Sequence, residues 1–342
     1  MGLFPPTPFF IEQAASLIKK GGLVAFPTET VYGLGANALD PIAVAKIFEV
    51  KGRPHFDPLI IHILDISFLD FLCQNVPDQA RILAQKFWPG PLTLVLPKKK
   101  IIPDLVTSGL QTVAIRIPSH PIALELIRIS GVPIAAPSAN PFKYLSPTTA
   151  EHVLNQLGNK VDMILEGGPC SIGLESTVMD LSNDEPCILR PGGLALEEIE
   201  SVIGPLKTHF PPKKKGSLNS PGQLERHYSP RTPLKILEEG EFPKGNFGKI
   251  GLLAFKTISR KWNAVKIEIL SPQGDLKEAA AHLFSSLHRL DEAGLDIIYA
   301  EPVPEIGLGI AIMNRLRKAE MKIQKSNIKN QNDKSKFKMP PL

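Results

Sequence analysis

The sequence predicts an α/β protein built around a mixed sheet, followed by a second, smaller α/β unit. Short apolar runs typical of buried strands alternate with longer segments whose apolar residues recur at helical spacing, and two strands often follow one another directly. The alternation lapses between residues 204 and 233, a stretch rich in proline, lysine and glycine, and then resumes. Such an interruption is typical of a linker between two folded units.

Each predicted element has a local justification. Two glycines, Gly21 and Gly22, end the first helix, and Pro41 begins the second at a position that favours proline. The strands are short apolar runs bounded by proline, glycine or polar residues. In chain order the first unit has a helix over 9–20, a strand over 23–26, a helix over 41–50, a strand over 59–63, a helix over 77–87, strands over 92–96 and 113–117, a helix over 121–129, a strand over 134–136, a helix over 149–157, strands over 163–165 and 177–181, and a helix over 196–203.

The same reasoning predicts regular structure after the interruption. The second unit has strands over 234–237, 250–255, 265–269 and 297–300 and helices over 276–293 and 308–318. We therefore expect four segments: a first domain over 1–205, a linker over 206–233, a small C-terminal domain over 234–318 and a basic tail over 319–342.

Composition excludes several classes of protein. Hydrophobic residues make up 43% and charged residues 21%, which rules out a wholly disordered or fibrous chain. No apolar run approaches the ~18 residues that a membrane helix needs. The net charge is +5, but residues 317–342 hold eight Lys/Arg and two Asp/Glu, so they contribute +6 and the first 316 residues sum to −1. The basicity therefore belongs to the tail, which we expect either to be disordered or to contact RNA or acidic partners.

The cysteines indicate a reducing compartment. There are three, Cys73, Cys170 and Cys187, and no pair has CxxC spacing. An odd number without that spacing favours neither a disulfide framework nor a zinc site. We expect a cytoplasmic protein without a protein-bound metal and without a membrane span.

A polar turn follows the first predicted strand, within the run 22–35 (GLVAFPTETVYGLG). It carries Thr28 and Thr30. Loops at the ends of sheet strands are favoured ligand positions, but a plain turn with hydroxyls bonded to its own backbone explains these residues equally well. The glycines form neither a GxGxxG nor a Walker A motif, so neither standard nucleotide loop is present.

Two segments carry cations suited to anions. Lys51 and Arg53 lie in KGRP, where glycine and proline break regular structure, so both side chains can project from one loop toward a polyphosphate. A basic end to the preceding helix is the simpler alternative. Arg116 lies inside an apolar strand and needs an acidic or phosphate partner unless it faces outward. Strand alternation places Thr112 on the same face as Arg116, which makes a joint site possible.

A third polar turn, APSANP, follows a buried strand and offers Ser138 and Asn140 as small donors and acceptors. In the next segment Thr148 and Glu151 fit the spacing of a capping box, which predicts that Thr148 begins a helix and leaves Ser146 available for another role.

Two further segments are weak signals alone. Ser176 precedes a strand, and Arg190 lies where a further strand ends, held at a turn before Pro-Gly-Gly, a position suited to an anion.

Taken in order, these segments resemble the motifs of the YrdC-like family over about residues 10–205. The motifs are FPTETVYGLG, KGRP, PLIIHI, VAIRIP, APSAN, SPT, STV and LRPGG. Further similarity in the segments SPG, RHYSP and MNRL extends the resemblance to the long, two-domain form of the family, over nearly the whole chain except the tail. Eight motifs in one order are not expected by chance.

The resemblance implies a twisted mixed α/β sheet with an open cationic cleft, and a small Rossmann-like C-terminal domain whose linker helps to close the cleft. It implies an enzyme that forms threonylcarbamoyl adenylate and pyrophosphate from L-threonine, bicarbonate or CO2, and ATP with Mg²⁺. A downstream transferase would then move the threonylcarbamoyl group to tRNA, and a weak tRNA contact through the basic tail is a further expectation.

The resemblance also implies the site residues. The threonine contacts would be Thr30, His62, Arg116, Ala136 and Ser176. The ATP contacts would be Lys51, Arg53, Asp57, Thr112, Ser138, Asn140, Ser146, Arg190 and Tyr228. We expect Lys51 and Arg53 to be the catalytic residues, through orientation and charge stabilisation.

Asp57 departs from the family, which commonly has asparagine there. A carboxylate would repel a triphosphate unless Mg²⁺ or Arg53 intervenes, so Asp57 works through one of them or makes no contact. Two other functions stay open at this point. A carbamoyl-transfer enzyme of the same core fold would carry zinc-finger cysteines, which are not apparent in the sequence, and a non-enzymatic RNA-binding protein would need a broad basic surface.

Overall fold

The computed structural model describes residues 2–206, 227–238, 248–258 and 263–321. Most of the predicted linker and of the predicted basic tail falls on residues 207–226 and 322–342, which lie outside the described residues. Every helix and strand that the sequence predicts with bounds is present, with its ends shifted by at most two residues.

The first unit is an α/β layer structure. Its strands are β1 (Leu3–Phe4), β2 (Val24–Phe26), β3 (Gly33–Asn37), β4 (Ile60–His62), β5 (Leu92–Pro97), β6 (Thr112–Arg116), β7 (Ile134–Ala135), β8 (Met163–Leu165), β9 (Thr177–Asp180) and β10 (Cys187–Arg190). Its helices are α1 (Pro8–Lys19), α2 (Pro41–Lys51), α3 (Phe68–Leu72), α4 (Asp78–Phe87), α5 (Asp104–Thr107), α6 (Pro121–Ser130), α7 (Ala150–Leu157) and α8 (Leu196–Ile203).

The ten strands form one mixed sheet in the order β1-β8-β2-β3-β7-β4-β6-β5-β9-β10. The pairs β4–β6 and β5–β9 are parallel, whereas β2–β3, β3–β7, β4–β7, β5–β6 and β9–β10 are antiparallel. Parallel β4 and β6 place His62 directly beside Arg116. Residues that are 54 positions apart in the sequence therefore become neighbours at one end of the sheet.

The second unit is a small parallel α/β layer, as expected of a Rossmann-like domain. Its elements are β11 (Leu234–Ile236), β12 (Ile250–Ala254), β13 (Lys266–Ile269), α9 (Leu276–Asp291), β14 (Ile297–Ala300) and α10 (Leu308–Ala319). The strand order is β11-β14-β12-β13, and every pairing in it is parallel. Both helices pack through buried alanine and leucine side chains.

The two units share an apolar contact. Val31, Leu145 and Leu174 of the first unit belong to the same buried cluster as Tyr228 and as Phe284 of α9. Burying this surface from water stabilises the contact, at roughly 25 cal/mol per Å² of apolar area. The second unit is therefore packed directly against the loops of the first.

Five described elements were missed by the sequence analysis: β1, β3, α3, α5 and a single 3-10 turn over Gly158–Lys160. The segment of β3 was interpreted as a polar turn because two of its five residues are glycine, which is depleted in strands. The structure shows why glycine is needed there. A Cβ on Gly35 would lie 2.7 Å from Phe26 Cε1 and 2.9 Å from Ile134 Cγ2, so only glycine fits between these side chains.

The predicted helix cap was wrong by one residue. Thr149, not Thr148, is the N-cap of α7, and its hydroxyl accepts the backbone N–H of His152 at 3.3 Å. The backbone N–H of Thr148 instead donates to the His152 ring at 3.2 Å. Thr148 and Thr149 are adjacent, and the capping-box spacing of Glu151 to Thr148 pointed to the first of them instead of the second. Ser146 is not free either, because its hydroxyl donates to Glu175.

Candidate active site

A cavity of about 630 Å³, including its open mouth, lies where the polar loops of the first unit meet the start of the second. It is lined by residues of the first unit and by two residues of the segment just before the second: Thr28, Thr30, Val31, Gly33, Lys51, Arg53, Ile60, His62, Arg116, Ala136, Pro137, Ser138, Asn140, Phe142, Lys143, Glu175, Ser176, Arg190, His227 and Tyr228. Five of these are Lys or Arg and one is Glu.

Backbone hydrogen bonds hold the wall loops together. The Leu34 N–H donates to the Pro137 carbonyl at 2.8 Å, and the Ala139 N–H donates to the Tyr32 carbonyl at 2.8 Å. The Phe142 N–H donates to the Lys51 carbonyl at 2.8 Å, which ties this wall to the end of α2. The loops are therefore fixed by main-chain pairing, and their side chains remain free to face the cavity.

Lys51 is the last residue of α2, and Gly52 follows with φ of 59°, a left-handed conformation that glycine adopts without strain. The Lys51 ammonium donates to the carbonyls of Ser138 and Asn140. Lys51 is 3% exposed. Burial and then the nearby Arg53 cation lower the pKa of Lys51 well below its ordinary value. An anion that enters the cavity would reverse this effect, because it stabilises the charged amine.

Arg53 is held by the loop that follows it. Its Nε donates to the Asp57 carbonyl at 3.0 Å, and its Nη2 donates to the Pro58 carbonyl at 2.7 Å and lies 3.0 Å from Asp57 Oδ1. Asp57 is fully buried, and burial raises the pKa of its carboxyl while Arg53 and Lys51 oppose that rise. The acid therefore lies behind Arg53 as its counter-charge and is not part of the cavity wall.

Arg116 ends β6 and faces the cavity beside His62. Its Nη1 donates to Thr30 Oγ1 at 2.9 Å, its Nε donates to the Gly90 carbonyl at 3.2 Å, and its Nη2 lies 2.7 Å from Glu29 Oε1. His62 is buried, and burial together with the Arg116 cation lowers its pKa to about 3. A neutral imidazole and an oriented guanidinium can thus bind a carboxylate between them.

Arg190 ends β10 and is held by Ser176. Its Nη2 donates to the Ser176 carbonyl at 2.8 Å and to the Ser176 hydroxyl at 3.2 Å. Gly192 makes this closeness possible. A Cβ there would lie 2.3 Å from the Glu175 carbonyl oxygen and 2.4 Å from two other backbone atoms, so no larger residue fits.

The residues just before the second unit close one side of the cavity. The ring of Tyr228 is fully buried, lies 4.1 Å from the His227 ring, and has a backbone φ of 59°. Burial and the Glu175 carboxylate raise the pKa of the Tyr228 phenol, while Arg315 and Arg190 oppose the rise. Phe142 meets the His227 ring edge-on at 6.1 Å, so these rings form an aromatic wall.

Comparison with known proteins gives the family. The family model described as "Telomere recombination" matches residues 16–192, and the model of the threonylcarbamoyl-AMP synthase C-terminal domain matches residues 194–320. The threonylcarbamoyl-AMP synthase of Pyrococcus abyssi is 49% identical over 318 residues, which cover 90% of this chain and 93% of the relative. The chain belongs to the threonylcarbamoyl-AMP synthase family. The synthase of Bacillus subtilis is 46% identical and covers 90% of this chain and 92% of its own.

A solved structure extends the likeness to the fold. The crystal structure of P. abyssi Sua5 complexed with L-threonine aligns with a TM-score of 0.83 at 46% identity, covering 91% of this chain and 94% of that one. Both units of the chain thus have the arrangement of this family. Among the functions that the sequence left open, the threonylcarbamoyl-AMP synthase family is the one supported over nearly the whole chain, against a carbamoyl-transfer enzyme and an RNA-binding protein.

Eleven of the fourteen residues that the sequence singled out as family contacts line the one cavity. Three do not. Asp57 lies behind Arg53, Ser146 lies behind Glu175, and Thr112 is half-buried at the opposite end of β6 from Arg116. The substrate contacts of all fourteen residues, whether or not they line the cavity, remain predictions.

The sequence analysis left out several wall residues. Glu175, His227 and Phe142 line the cavity but were not singled out, although Glu175 and His227 lie within or beside family motifs. Phe142 follows APSANP and carries no local signal of function. Within the described residues no group of three or more His, Cys, Asp or Glu side chains is placed to hold a metal ion, and no helix is long and apolar enough to cross a membrane.

Proposed function

We propose that this cavity binds L-threonine, ATP and bicarbonate or CO2 and joins them as threonylcarbamoyl adenylate. The threonine nitrogen bonds to the carbon of CO2 and loses a proton, which gives a carbamate. From bicarbonate, that proton leaves together with the displaced hydroxide as water. A carbamate oxygen then bonds to the α-phosphorus of ATP, and the bond from that phosphorus to the bridging oxygen breaks to release pyrophosphate. The observation that carries the proposal is the convergence of both predicted contact sets on one cavity.

The threonine end is assigned to the wall around Arg116. Arg116 presents its guanidinium beside the neutral His62, and Thr30 fixes it through a hydrogen bond of 2.9 Å. This arrangement suits a carboxylate, and the backbone at Ala136 and the hydroxyl of Ser176 supply small polar contacts nearby. Because the His62 pKa is about 3, this imidazole stays neutral at physiological pH and does not compete with Arg116 for the carboxylate.

The ATP end is assigned to the wall of cations. Lys51, Arg53 and Arg190 surround the place where negative charge accumulates during displacement at phosphorus, and each is held by backbone carbonyls before ATP arrives. Such preorganised charge lowers the barrier without reorganisation at the moment of reaction. Ser138, Asn140 and Tyr228 complete this wall. No residue is assigned as a general base.

Mg²⁺ is proposed to arrive with the triphosphate rather than in a protein cage. Among the described residues the one carboxylate on the cavity wall is Glu175, which already accepts bonds from Ser146 and Arg315, and Asp57 is paired with Arg53. The phosphate oxygens are therefore the natural ligands, and the ion would neutralise charge on the leaving pyrophosphate.

Water must be kept from the carbamate, which is labile. The aromatic wall of Phe142, His227 and Tyr228 supports a role of the second unit and its preceding segment in closing the cavity. We further propose that a downstream transferase carries the product to tRNA in the cytoplasm, a compartment compatible with the three free cysteines. Weak tRNA contact through the basic tail stays a prediction, since residues 322–342 lie outside the described ones.

The deciding experiment measures pyrophosphate release from ATP with threonine and bicarbonate each present or withheld. We expect release only when both accompany ATP. Lys51→Ala should slow it by about 10²-fold or more, since it removes a preorganised cation from the developing charge. Lys46→Ala is the matched control, because Lys46 lies on the same helix with its ammonium on the Gly21 carbonyl, away from the cavity.

Two results would contradict the proposal. Pyrophosphate release without threonine would indicate hydrolysis of ATP to AMP instead of transfer to a threonine carbamate. Equal activity of the Lys51→Ala and Lys46→Ala variants would show that the cationic wall is not where ATP reacts.

A further inference from the structure

One side chain of the second unit enters the wall of the first. Arg315 lies on α10, and its side chain is completely buried. Its Nε donates to Glu175 Oε2 at 2.9 Å, its Nη2 lies 2.8 Å from the same oxygen, and its Nη1 donates to the Pro191 carbonyl. Its guanidinium also lies 5.1 Å from the centre of the Tyr228 ring.

These contacts are all with cavity residues or their immediate neighbours. Glu175 and Tyr228 line the cavity, and Pro191 follows Arg190 directly. A fully buried arginine can persist only where it is paired and its donors are occupied, and Glu175 supplies that pairing. Burial alone would raise the pKa of the Glu175 carboxyl, but the Arg315 and Arg190 cations and the Ser146 hydroxyl together lower it below its ordinary value.

Glu175 in turn fixes the position of Ser146. The other carboxylate oxygen, Oε1, accepts the Ser146 hydroxyl. The Ser146 carbonyl meets a ring nitrogen of His288 on α9 at 3.2 Å. The second unit therefore holds Ser146 at two groups. It holds the hydroxyl through Arg315 and Glu175, and the carbonyl directly through His288.

We propose that Arg315 is a positioning residue for the ATP end of the active site. It neutralises and orients Glu175, and through Glu175 it fixes Ser146 and the backbone to which Arg190 is bound. This inference rests on the assignment of the ATP end proposed above. It gives the second unit a part in the chemistry besides covering the cavity, since an uncompensated carboxylate at this point would repel the triphosphate.

The test compares full-length variants in two measurements. Pyrophosphate release is measured with ATP varied at saturating threonine and with threonine varied at saturating ATP, and ATP binding alone is measured by calorimetry. We expect Arg315→Met to lower kcat/KM for ATP by about 10- to 100-fold, as a misplaced contact does, while the KM for threonine changes by less than about twofold.

A second variant separates the positioning of Glu175 from the overall stability of the fold. Arg315→Lys keeps the charge but cannot hold Glu175 and the Pro191 carbonyl together, so it should stay folded and still weaken ATP binding. In the Arg315→Met background, adding Glu175→Gln removes the uncompensated carboxylate and should recover about fivefold or more of the lost ATP affinity. Arg317→Met is the matched control, since it breaks an exposed ion pair with Glu305 on the same helix and should leave both measurements unchanged.

The outcomes separate the two proposals. If the wild type releases no pyrophosphate in response to threonine, the proposed function is wrong, and ATP binding by the variants still decides the role of Arg315. Equal losses for threonine and ATP, unchanged ATP affinity in Arg315→Lys, or no recovery on adding Glu175→Gln would each overturn the inference. Should Arg315→Met fail to fold, the ATP affinity of Arg315→Lys and its kcat/KM values for ATP and for threonine decide the inference.

Discussion

Acid is expected to destabilise the protein through two imidazoles that pack between its units. His152 on α7 and His288 on α9 stack with their ring centres 4.0 Å apart and their planes at 23°. Burial lowers the pKa of His152 to about 4, and burial together with His152 lowers the pKa of His288 to about 3. Both rings are therefore neutral in the folded protein over the range in which they take up protons when unfolded.

The sign and size follow from this difference. Both pKa values are lower in the folded state, so below pH 6.5 the unfolded chain binds more protons, and the free energy of unfolding falls as pH falls toward 3 or 4. At pH 5 the loss relative to pH 7.5 is about 2 kcal/mol for His288 and about 1 to 2 kcal/mol for the less buried His152. Together they account for about 3 kcal/mol of acid sensitivity at the contact between the units.

Urea unfolding at pH 7.5 and pH 5 checks this value with non-titrating replacements. His152→Asn keeps an acceptor for the Thr148 N–H, and His288→Gln keeps an amide near the Ser146 carbonyl. In the wild type the free energy of unfolding should be lower at pH 5 than at pH 7.5, and in the double variant this difference should be smaller by about 3 kcal/mol. The exposed His55, replaced by Gln, is the control. A double variant with the full wild-type pH dependence would refute the reasoning.

Three further outcomes are expected. Gly35→Ala should lower the free energy of unfolding by about 1–3 kcal/mol in thermal melts, because its methyl group would meet Phe26 at 2.7 Å. Asp57→Asn should lower it by about 3 kcal/mol without ATP, since Arg53 loses its buried counter-charge, but should not weaken ATP binding, because the triphosphate replaces that charge. ATP binding, followed by calorimetry, should weaken as pH rises through the lowered pKa of Lys51, below the ordinary 10.5, because the neutral amine no longer attracts phosphate; Lys51→Arg should abolish this loss.

Each has a matched control and a contradicting result. Gly2→Ala places a methyl group where nothing lies within 4 Å, and an equal loss there would remove the steric explanation. Asp104→Asn breaks an ion pair whose acid is 80% exposed, so it should cost at most about 1 kcal/mol. Weakened ATP binding in Asp57→Asn would instead mean that the carboxylate holds Arg53 in its binding position. An unchanged alkaline loss in Lys51→Arg would assign that loss to another group.

The sequence allowed most elements to be predicted because their signals are local. Apolar runs between prolines mark the strands, and a residue such as Gly52 or Pro41 marks the end or beginning of a helix. β3 was missed because its glycines serve packing against Phe26, a requirement that arises only when three strands are side by side. The cap of α7 was misplaced because two adjacent threonines satisfy nearly the same pattern.

The site was predictable as a set of residue types but not as an arrangement. Strand alternation correctly put Thr112 and Arg116 on one face, yet it could not tell which end of the strand borders the cavity. The pairing of Glu175 with Arg315 joins residues 140 positions apart and depends on the contact between two units. No spacing rule reaches that far, so the sequence did not predict this contact between the units.

If Arg315 positions the ATP end as proposed, the covalent link between the two units matters for the reaction. Two modules linked in one polypeptide meet at an effective concentration of about millimolar, whatever the dilution of the protein. If the two units were separate chains, the contact between Arg315 and Glu175 would form only by bimolecular association. Turnover by the first unit would then rise with the concentration of the second. The covalent link therefore keeps Arg315 and Glu175 at a one-to-one ratio, and dilution of the protein inside a cell does not separate them.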